Sequence, residues 1–557
     1  MGDGFIQLGQ GQNLALWTIS FFLCLLGLGV YRYSFHPLAR FPGPKLAALS
    51  SAYAFYYDCI LGGKFVFKIQ ELHEQYGPII RITPHELHVS DPDFIDELYT
   101  GASRPRDKSP SIAGAFGVPL VKQLILTDTR TWRKGIFATV PHDLHRRRRS
   151  ALNPLFSKGS IAKIEPLIKE SVQKLCDKLE EYAGTRKPIN LSAGFACLAS
   201  DVVIDYAFGV SMNYLSSDNP EFEPNLHDSA ISNGKLSLFR RYFSSPVALL
   251  EAMPEFVAKS LSPTAAAYFA FQNEIIKHVD EIWKGAGQMS GKTEKTIFRE
   301  ILKGKLPEEE KTFPRLWQEA IGLVAAGIGT TAWSLSATTY HVLSNPEIAS
   351  KLYQELEAGI PDVTDFPSLA TLEKFPYLIS CPIYSFFPNL NFLKLADNEF
   401  HTAVVYEGLR LDSGVSTRTP RVAREPLYYK GKGKHQVEYE IPAGTPVGMT
   451  LIMIQQDPSI FPNPRQFMPE RWIDSNGKRR RDLEGYLVTF SKGTRQCIGI
   501  NLAFAEMYFG IAAIFRNFAT RAKLYETDIH DVVMKCDYFV PVAKSDSKGV
   551  RVTIDAA

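Results

Sequence analysis

The sequence predicts a mainly α-helical protein with a smaller β part, preceded by one transmembrane helix near its N-terminus. Three observations predict this. Between about 145 and 360, apolar residues recur mostly at amphipathic-helix spacing. From 415 to 472 the texture changes to prolines, turns and short strand-like runs. Residues 14–31 form an apolar run of about 18 residues, near the length that spans a bilayer.

No Lys or Arg precedes that run, whereas Arg32, Arg40 and Lys45 follow it. The positive-inside rule therefore places the downstream chain in the cytosol. The alternative is a cleaved signal peptide, which calls for a basic n-region and a small-residue cleavage site; neither is evident. "HPLARFPGPK" reads as a stiff linker because each proline fixes φ. The expected division is an anchor (1–33), a Pro-rich linker (34–46) and a main body (47–557). Within the body, "AFYYDCILGGKFVFKIQELHEQYG" has helical spacing, and "PIIRITPHELHVSDPDFIDELYT" predicts two short strands and a helix. "SIAKIEPLIKESVQKLCDKLEEYAG", "AAAYFAFQNEIIKHVDEIWKG" and "LWQEAIGLVAAGIGTTAWSLSATTYHVLS" predict long helices. "PLYYKGKGKHQVEYEIPAGTPVGM" predicts a hairpin followed by a strand, and a last long helix begins after Cys497. No internal repeat or low-complexity tract is present.

A chain of 557 residues, 45% hydrophobic, can bury a large core. Length alone allows either about three or four domains or one large catalytic domain. A net charge of +3 gives no reason to expect a nucleic-acid partner. Aromatics at 12% suit an apolar interior or an apolar substrate pocket. The 7 cysteines are odd in number and widely spaced, with no CxxC. This argues against a disulfide framework and a zinc site and favours a reducing compartment.

Cys497 lies in "FSKGTRQCIG", between Gly493 and Gly499, just before a helix. Three readings suit a cysteine there: a small buried hydrophobe, half of a disulfide, or a metal ligand. The glycines permit close backbone approaches. Amides at a helix start favour a thiolate, and Arg495 adds a cation. Haem held by a proximal cysteinate, a ligand that favours O–O cleavage, fits such a loop.

The stretch matches F-x-x-G-x-R-x-C-x-G at Phe490, Gly493, Arg495, Cys497 and Gly499, and resembles the haem-binding signature of the cytochrome P-450 family. Further motifs follow in the family's order. "EGLR" carries Glu407 and Arg410, and "FMPERW" carries Arg471; in the family such a set forms a buried ionic network. "AAGIGTTAW" resembles the distal helix that crosses the haem face. There the resemblance implies that Ala326 and Gly327 leave room for dioxygen and that Thr330 serves proton delivery. Gly329 departs from the pattern, since most relatives carry Asp or Glu before that Thr; the proton route then falls to Thr331 or ordered water. In "HDLHRRRRSALNPLFSK", His145 and Arg149 match the propionate-holding pair, with Arg146–Arg148 expected mostly outward. Arg421 in "STRTPRVA" matches another propionate contact.

The resemblance, strongest to fungal secondary-metabolism members of the trichodiene-oxygenase-like type, covers nearly the whole chain. It implies the cytochrome P-450 fold, haem b with Cys497 as metal ligand, and a monooxygenase of the endoplasmic reticulum membrane facing the cytosol. It also implies electrons from NADPH through a cytochrome P-450 reductase, since no dinucleotide fingerprint is present. Dioxygen and an apolar terpenoid, polyketide or hybrid substrate complete the expectation. That substrate would be held against the distal helix, the 105–140 region, the 210–260 segment and 415–419. Two other readings stay open. One is a haem-thiolate isomerase, dehydratase or coupling enzyme, prompted by Gly329. The other is a haem-binding product inactivated by its inserts. The segments 379–401 and 121–134 lack the family's continuity and are expected to be inserts or translated intron.

Overall fold

The computed structural model describes residues 3–114, 135–216, 218–219, 221–222, 234–235, 237–243, 263–285, 295–363, 365–373, 403–412, 414–431, 437–475 and 479–556. The 121–134 segment lies outside these residues, as do all of 379–401 and most of 210–260.

Helix α1 (Asp3–Val30) continues as a wider turn through Phe35. Its apolar side chains from Leu16 onward stand outside the body. Among the described residues three helices have the length and hydropathy to cross a membrane. Burial separates them. Leu191–Phe208 is wholly inside the protein and Phe313–Leu343 is 56% buried in its apolar window, whereas Leu16–Phe35 is 0% buried. An apolar N-terminal helix whose described side chains stay outside the body fits a membrane anchor.

Part of the Pro-rich stretch read as a stiff linker packs into the body. Leu38 and Phe41 are core residues, packed with the strand residues Ile79, Leu87 and Val447. The Arg81 N–H donates to Pro42 O at 2.7 Å. Gly43 lies so close to Arg81 that a Cβ there would meet its carbonyl at 2.4 Å.

Helix α2 (Phe65–Tyr76) ends at Gly77 with φ 98°, a conformation that costs glycine little. Strands β1 (Ile79–Thr83) and β2 (Glu86–Val89) pair as an antiparallel hairpin. They join β3 (Arg106–Lys108), β4 (Arg421–Ala423) and β7 (Pro446–Gly448) in one sheet of order β1-β2-β7-β4-β3. The register sets Lys108 opposite Arg421. The hairpin expected between them is β5 (Leu427–Lys430) and β6 (Glu438–Ile441). A third hairpin, β8 (Cys536–Tyr538) and β9 (Val540–Val542), turns at Phe539 with φ 80°.

The helical body comprises α3 (His142–Leu152), α4 (Glu165–Glu181), α5 (Leu191–Phe208), α6 (Pro263–Trp283), α7 (Phe313–Leu343), α8 (Pro346–Gly359), α9 (Ala403–Leu411) and α10 (Ile500–Phe518). Helix α5 corrects the amphipathic expectation for this stretch, because all its residues are buried. It is apolar all round since it runs through the centre, against α7. Asn190 caps its start through Ala193 N, and Gly209 at φ 74° ends it. One large core unites α4, α5, α7 and α10.

Candidate functional site

The cysteine loop is shaped by contacts that few residues tolerate. Gly493 has φ 72°, and a Cβ there would meet Thr100 O at 2.2 Å and Tyr99 O at 2.4 Å. The Thr494 N–H donates to Thr100 O at 3.1 Å, and the Cys497 N–H donates to Phe490 O at 2.9 Å. The Phe490 ring packs on Phe504 of α10 at 5.2 Å. Gly499 has an ordinary φ of −83°; what it contributes is room, since a Cβ there would lie 4.0 Å from the Cys497 Sγ. Desolvation pushes the Cys497 thiol up, while the Gly499 N–H and the Arg149 guanidinium favour the thiolate. Helix α10 begins three residues after Cys497.

Beside this loop the fold gathers cations. Helix α3 turns His145, Arg148 and Leu152 inward at spacings of three and four. Arg149 reaches Gln496 O at 2.5 Å, next to Cys497. Arg495 donates to Thr139 O at 2.8 Å and Val140 O at 2.7 Å. Arg421 donates to Thr419 O at 3.0 Å and lies 4.9 Å over the Tyr99 ring. Lys108, opposite it in the sheet, is buried and donates to Phe137 O. The carboxylate of Asp107 is already engaged by the His142 N–H and Arg424.

The charge crowding shows in the titration. Burial, then Arg495, Lys108, Arg149 and Arg421, holds His145 down at about 2. Burial and Arg421 pull Arg495 down to about 9. Burial, Arg421 and Arg495 put Lys108 well below its usual range. His145 Nδ1 and Arg495 Nε have no hydrogen-bond partner. Grouped, partly desolvated cations with unused donors call for an anion, and two propionates beside a cysteinate meet that need. The residues present fit a haem.

In the arginine run Arg146 and Arg147 are exposed as expected, and Arg148 departs from the expectation. Arg148, expected outward, is buried and paired with Glu310 at 2.8 Å, because positions 145, 148 and 152 share one helical face. Glu310 also binds Arg315 at 3.1 Å, which ties α3 to the start of α7. Lys108 was missed; its signal was the charged "RPRDK" beside a strand.

Glu407, Arg410 and Arg471 come together. Arg410 gives Glu407 two bonds of 2.8 Å, Arg471 Nε gives one of 2.9 Å, and Trp472 Nε1 one of 3.0 Å. The Met468 N–H adds a fourth donor group at 2.9 Å. Arg410 also donates to Gln455 O at 2.8 Å and Pro464 O at 2.7 Å.

On α7, Gly322, Ala325 and Ala326 are exposed, with Gly329 and Thr330 half-buried beside them. Their spacing puts all five on one face. Thr330 Oγ1 donates to Ala326 O at 2.8 Å. Gly327, expected to open onto this face, instead packs against α5, where a Cβ would meet Val203 Cγ2 at 3.2 Å. Gly327 is thus a small-residue helix contact, and room on the open face comes from its neighbours. Thr331 points inward, to Glu506 on α10. Gly414 packs on Thr330. The 415–419 stretch is pinned to the β8–β9 hairpin by the Ser416 N–H donating to Phe539 O at 3.1 Å. Phe539 meets Phe137 edge to face at 5.6 Å.

The sequence model of the cytochrome P450 family matches residues 52–381 and 390–534, leaving out 382–389 inside the 379–401 segment. The chain is 40% identical over 546 residues to the cytochrome P450 monooxygenase tpcC of Cochliobolus heterostrophus, covering 96% of this chain and 95% of that one. It is 38% identical to the cytochrome P450 monooxygenase sdnE of Sordaria araneosa, with 98% of each chain covered. It is also 38% identical to the tryptophan 6-hydroxylase fscE of Fusarium equiseti, covering 96% of this chain and 95% of that one. A family match over most of the chain, with fungal relatives of this identity, shows that the chain belongs to the cytochrome P450 family, monooxygenases that bind haem through a cysteine thiolate.

Proposed function

We propose that Cys497 is the axial thiolate of a haem b and that the protein oxidises an apolar secondary metabolite. The observation that carries this is the union of the Cys497 loop with a cluster of cations that, among the described residues, outnumbers its one carboxylate, Asp107. His145, Arg149, Arg421 and Arg495, joined by Lys108, are assigned to the propionates. The Gly499 N–H and Arg149 favour the thiolate. Glu407, Arg410 and Arg471 brace the segment leading to the cysteine loop. When bound, haem supplies the reductive activation of dioxygen and the insertion of one oxygen atom into the substrate, the other leaving as water. The open face of α7 leaves space for small ligands, and Thr330 Oγ1 holds a proton there.

The body is assigned to 47–557, with 1–33 as anchor in the endoplasmic reticulum membrane and the body on the cytosolic side. Electrons come from NADPH through a separate cytochrome P450 reductase. Relatives hydroxylate tryptophan (Fusarium equiseti) and N-acetyltryptophan (Emericella nidulans) by their names, so both belong in a substrate screen beside terpenoids and polyketides. Gly329 supports a second reading, a haem-thiolate isomerase, dehydratase or coupling enzyme; turnover without NADPH and dioxygen would identify it.

The test is the carbon-monoxide difference spectrum of the reduced full chain. A far-red-shifted Soret band, lost in Cys497→Ser, is expected. An unchanged band in that variant overturns the ligand assignment.

A further inference from the structure

The end of the anchor helix carries a second group of cations. Arg32 and His36 lie where the apolar helix enters the body, and Arg81 and His85 lie on β1 and in the turn after it. Arg81 is 2% exposed, yet its guanidinium meets only carbonyls. Its Nη1 donates to Arg32 O at 2.9 Å and its Nη2 to Pro84 O at 2.8 Å. Arg32 Nη1 donates to a third carbonyl, Leu49 O, at 2.7 Å. The Nε of each arginine is buried without a hydrogen-bond partner. Among the described residues no Asp or Glu pairs with any of the four. Burial, then Arg81, His85 and Arg32, holds His36 down; burial, then Arg32 and Arg81, does the same to His85. The four therefore act on one another as a single positive patch that lacks an anion.

The two histidines are joined. The Leu38 N–H donates to His36 Nδ1 at 3.1 Å, so the ring proton of neutral His36 sits on Nε2. That N–H donates to His85 Nδ1 at 3.2 Å. The Nε2–H of His85 is then left at the exposed turn. Around the patch Phe35 and Leu46 stay 73% and 67% exposed, and Lys45 Nζ lies 5.9 Å over the Tyr33 ring. Aromatic, apolar and basic side chains in this mixture suit the headgroup level of a bilayer.

We propose that Arg32, His36 and His85 form a docking site for the phosphomonoester headgroup of an anionic membrane lipid, with the buried Arg81 adding charge. Two guanidinium charges side by side call for an ion carrying more than one charge. A phosphomonoester carries about −1.5 to −2 near neutral pH and three strong acceptor oxygens, whereas a lipid phosphodiester carries one charge. The source is a lipid because the patch adjoins the last residues of a span whose side chains stay outside the body. Arg81 and His85 belong to the sheet, so folding assembles this site; it is more than the flanking charge that orients a span. The inference rests on the reading of 1–33 as a membrane anchor and does not involve the haem.

The experiment is native mass spectrometry of the full chain in detergent with phosphatidic acid, phosphatidylserine and phosphatidylcholine in equal amounts. One phosphatidic acid should be retained severalfold over the other two lipids. Arg32→Gln should abolish that preference, and so should His85→Glu, which supplies a carboxylate from within the patch. Lys523→Gln, which removes one charge from the exposed far end of the chain, should keep it. The melting temperature of each variant shows that the fold persists, and His85→Glu decides if Arg32→Gln does not fold. Equal retention of phosphatidic acid and phosphatidylserine would reduce the site to general surface charge and overturn the proposal. A preference undiminished in both patch variants would place the lipid elsewhere and overturn it as well. Inorganic phosphate at the lipid's concentration should displace nothing; displacement would make the free ion the ligand. Carbonate extraction of the full chain tests the anchor by itself: release would sink that reading, while the lipid count still decides the site.

Discussion

Gly493 and Gly499 stand on either side of Cys497, and different physics demands each. The first needs a positive φ and backbone contact with Tyr99 and Thr100; the second needs only the space beside a sulfur. Single residues elsewhere carry comparable weight. Glu407 is fully buried and takes hydrogen bonds from four residues. Glu407→Gln removes its charge while leaving Arg410 buried, which costs on the order of 3–5 kcal/mol. A lower urea midpoint with weakened haem retention is the expected outcome. A buried chain runs from Gly77 O to His73 Nδ1 (2.8 Å), from His73 Nε2 to His88 Nδ1 (2.7 Å), and from His88 Nε2 to Thr450 Oγ1 (2.9 Å). Every ring nitrogen is engaged, and burial holds His73 down at about 4 and His88 well below its usual value. The unfolded chain takes up these protons near pH 6.5 and the folded one does not. Stability is therefore present above that pH and falls as pH drops toward 4, by at most about 1.4 kcal/mol per unit for each histidine. Urea midpoints between pH 7 and 4.5 measure the slope, and His73→Gln should reduce it.

Helices α7 and α9 meet through an absence of side chain. A Cβ on Gly408 would fall 2.0 Å from Thr338 Oγ1 and 3.0 Å from its Cβ. This contact holds Glu407, on the same helix, in reach of Arg471. Gly408→Ala should force the pair apart at a cost of about 1–3 kcal/mol, read as a lower melting temperature, and Thr338→Ala in the same chain should recover part of it. The same closeness at Gly327 sets α7 against α5. A stripe of small residues on α7 thus divides its work: one side packs on α5, and the other stays open around Ala325, Ala326 and Thr330.

At the scale of the whole molecule, the N-terminal stretch belongs partly to the body. Leu38 and Phe41 complete the core around the five-stranded sheet, whereas the side chains of 16–30 touch little else. A chain beginning at residue 31 should keep its melting temperature and lose carbonate-resistant membrane association. A chain beginning at residue 45 should lose stability as well, by about 1.5–3 kcal/mol for each of the two buried side chains. Equal stability of the two truncations would show that the docked segment contributes nothing.

Much of this protein was legible because its chemistry is local in sequence. Cys497, its flanking glycines and Arg495 lie within seven residues, and the long helices announce themselves by periodicity. The apolar run at 14–31 is readable for the same reason: a helix of bilayer-spanning length shows as an uninterrupted composition. What sequence could not decide were facings and partners. Helical spacing puts 145, 148, 149 and 152 on neighbouring directions, but only packing against the segment that leads into α7 gave Arg148 to Glu310, and only the approach of the cysteine loop put Arg149 beside Gln496. Lys108 joins Arg421 through pairing of strands more than 300 residues apart. Gly327 could face open space or a helix, and the position of α5 chose the helix. Glu506 is an acid among the largely apolar residues of α10, and its contact with Thr331 exists because α10 packs against α7 in the core. Periodicity and motif spacing are properties of the chain, whereas which face meets which partner is settled by long-range packing, which no local pattern encodes.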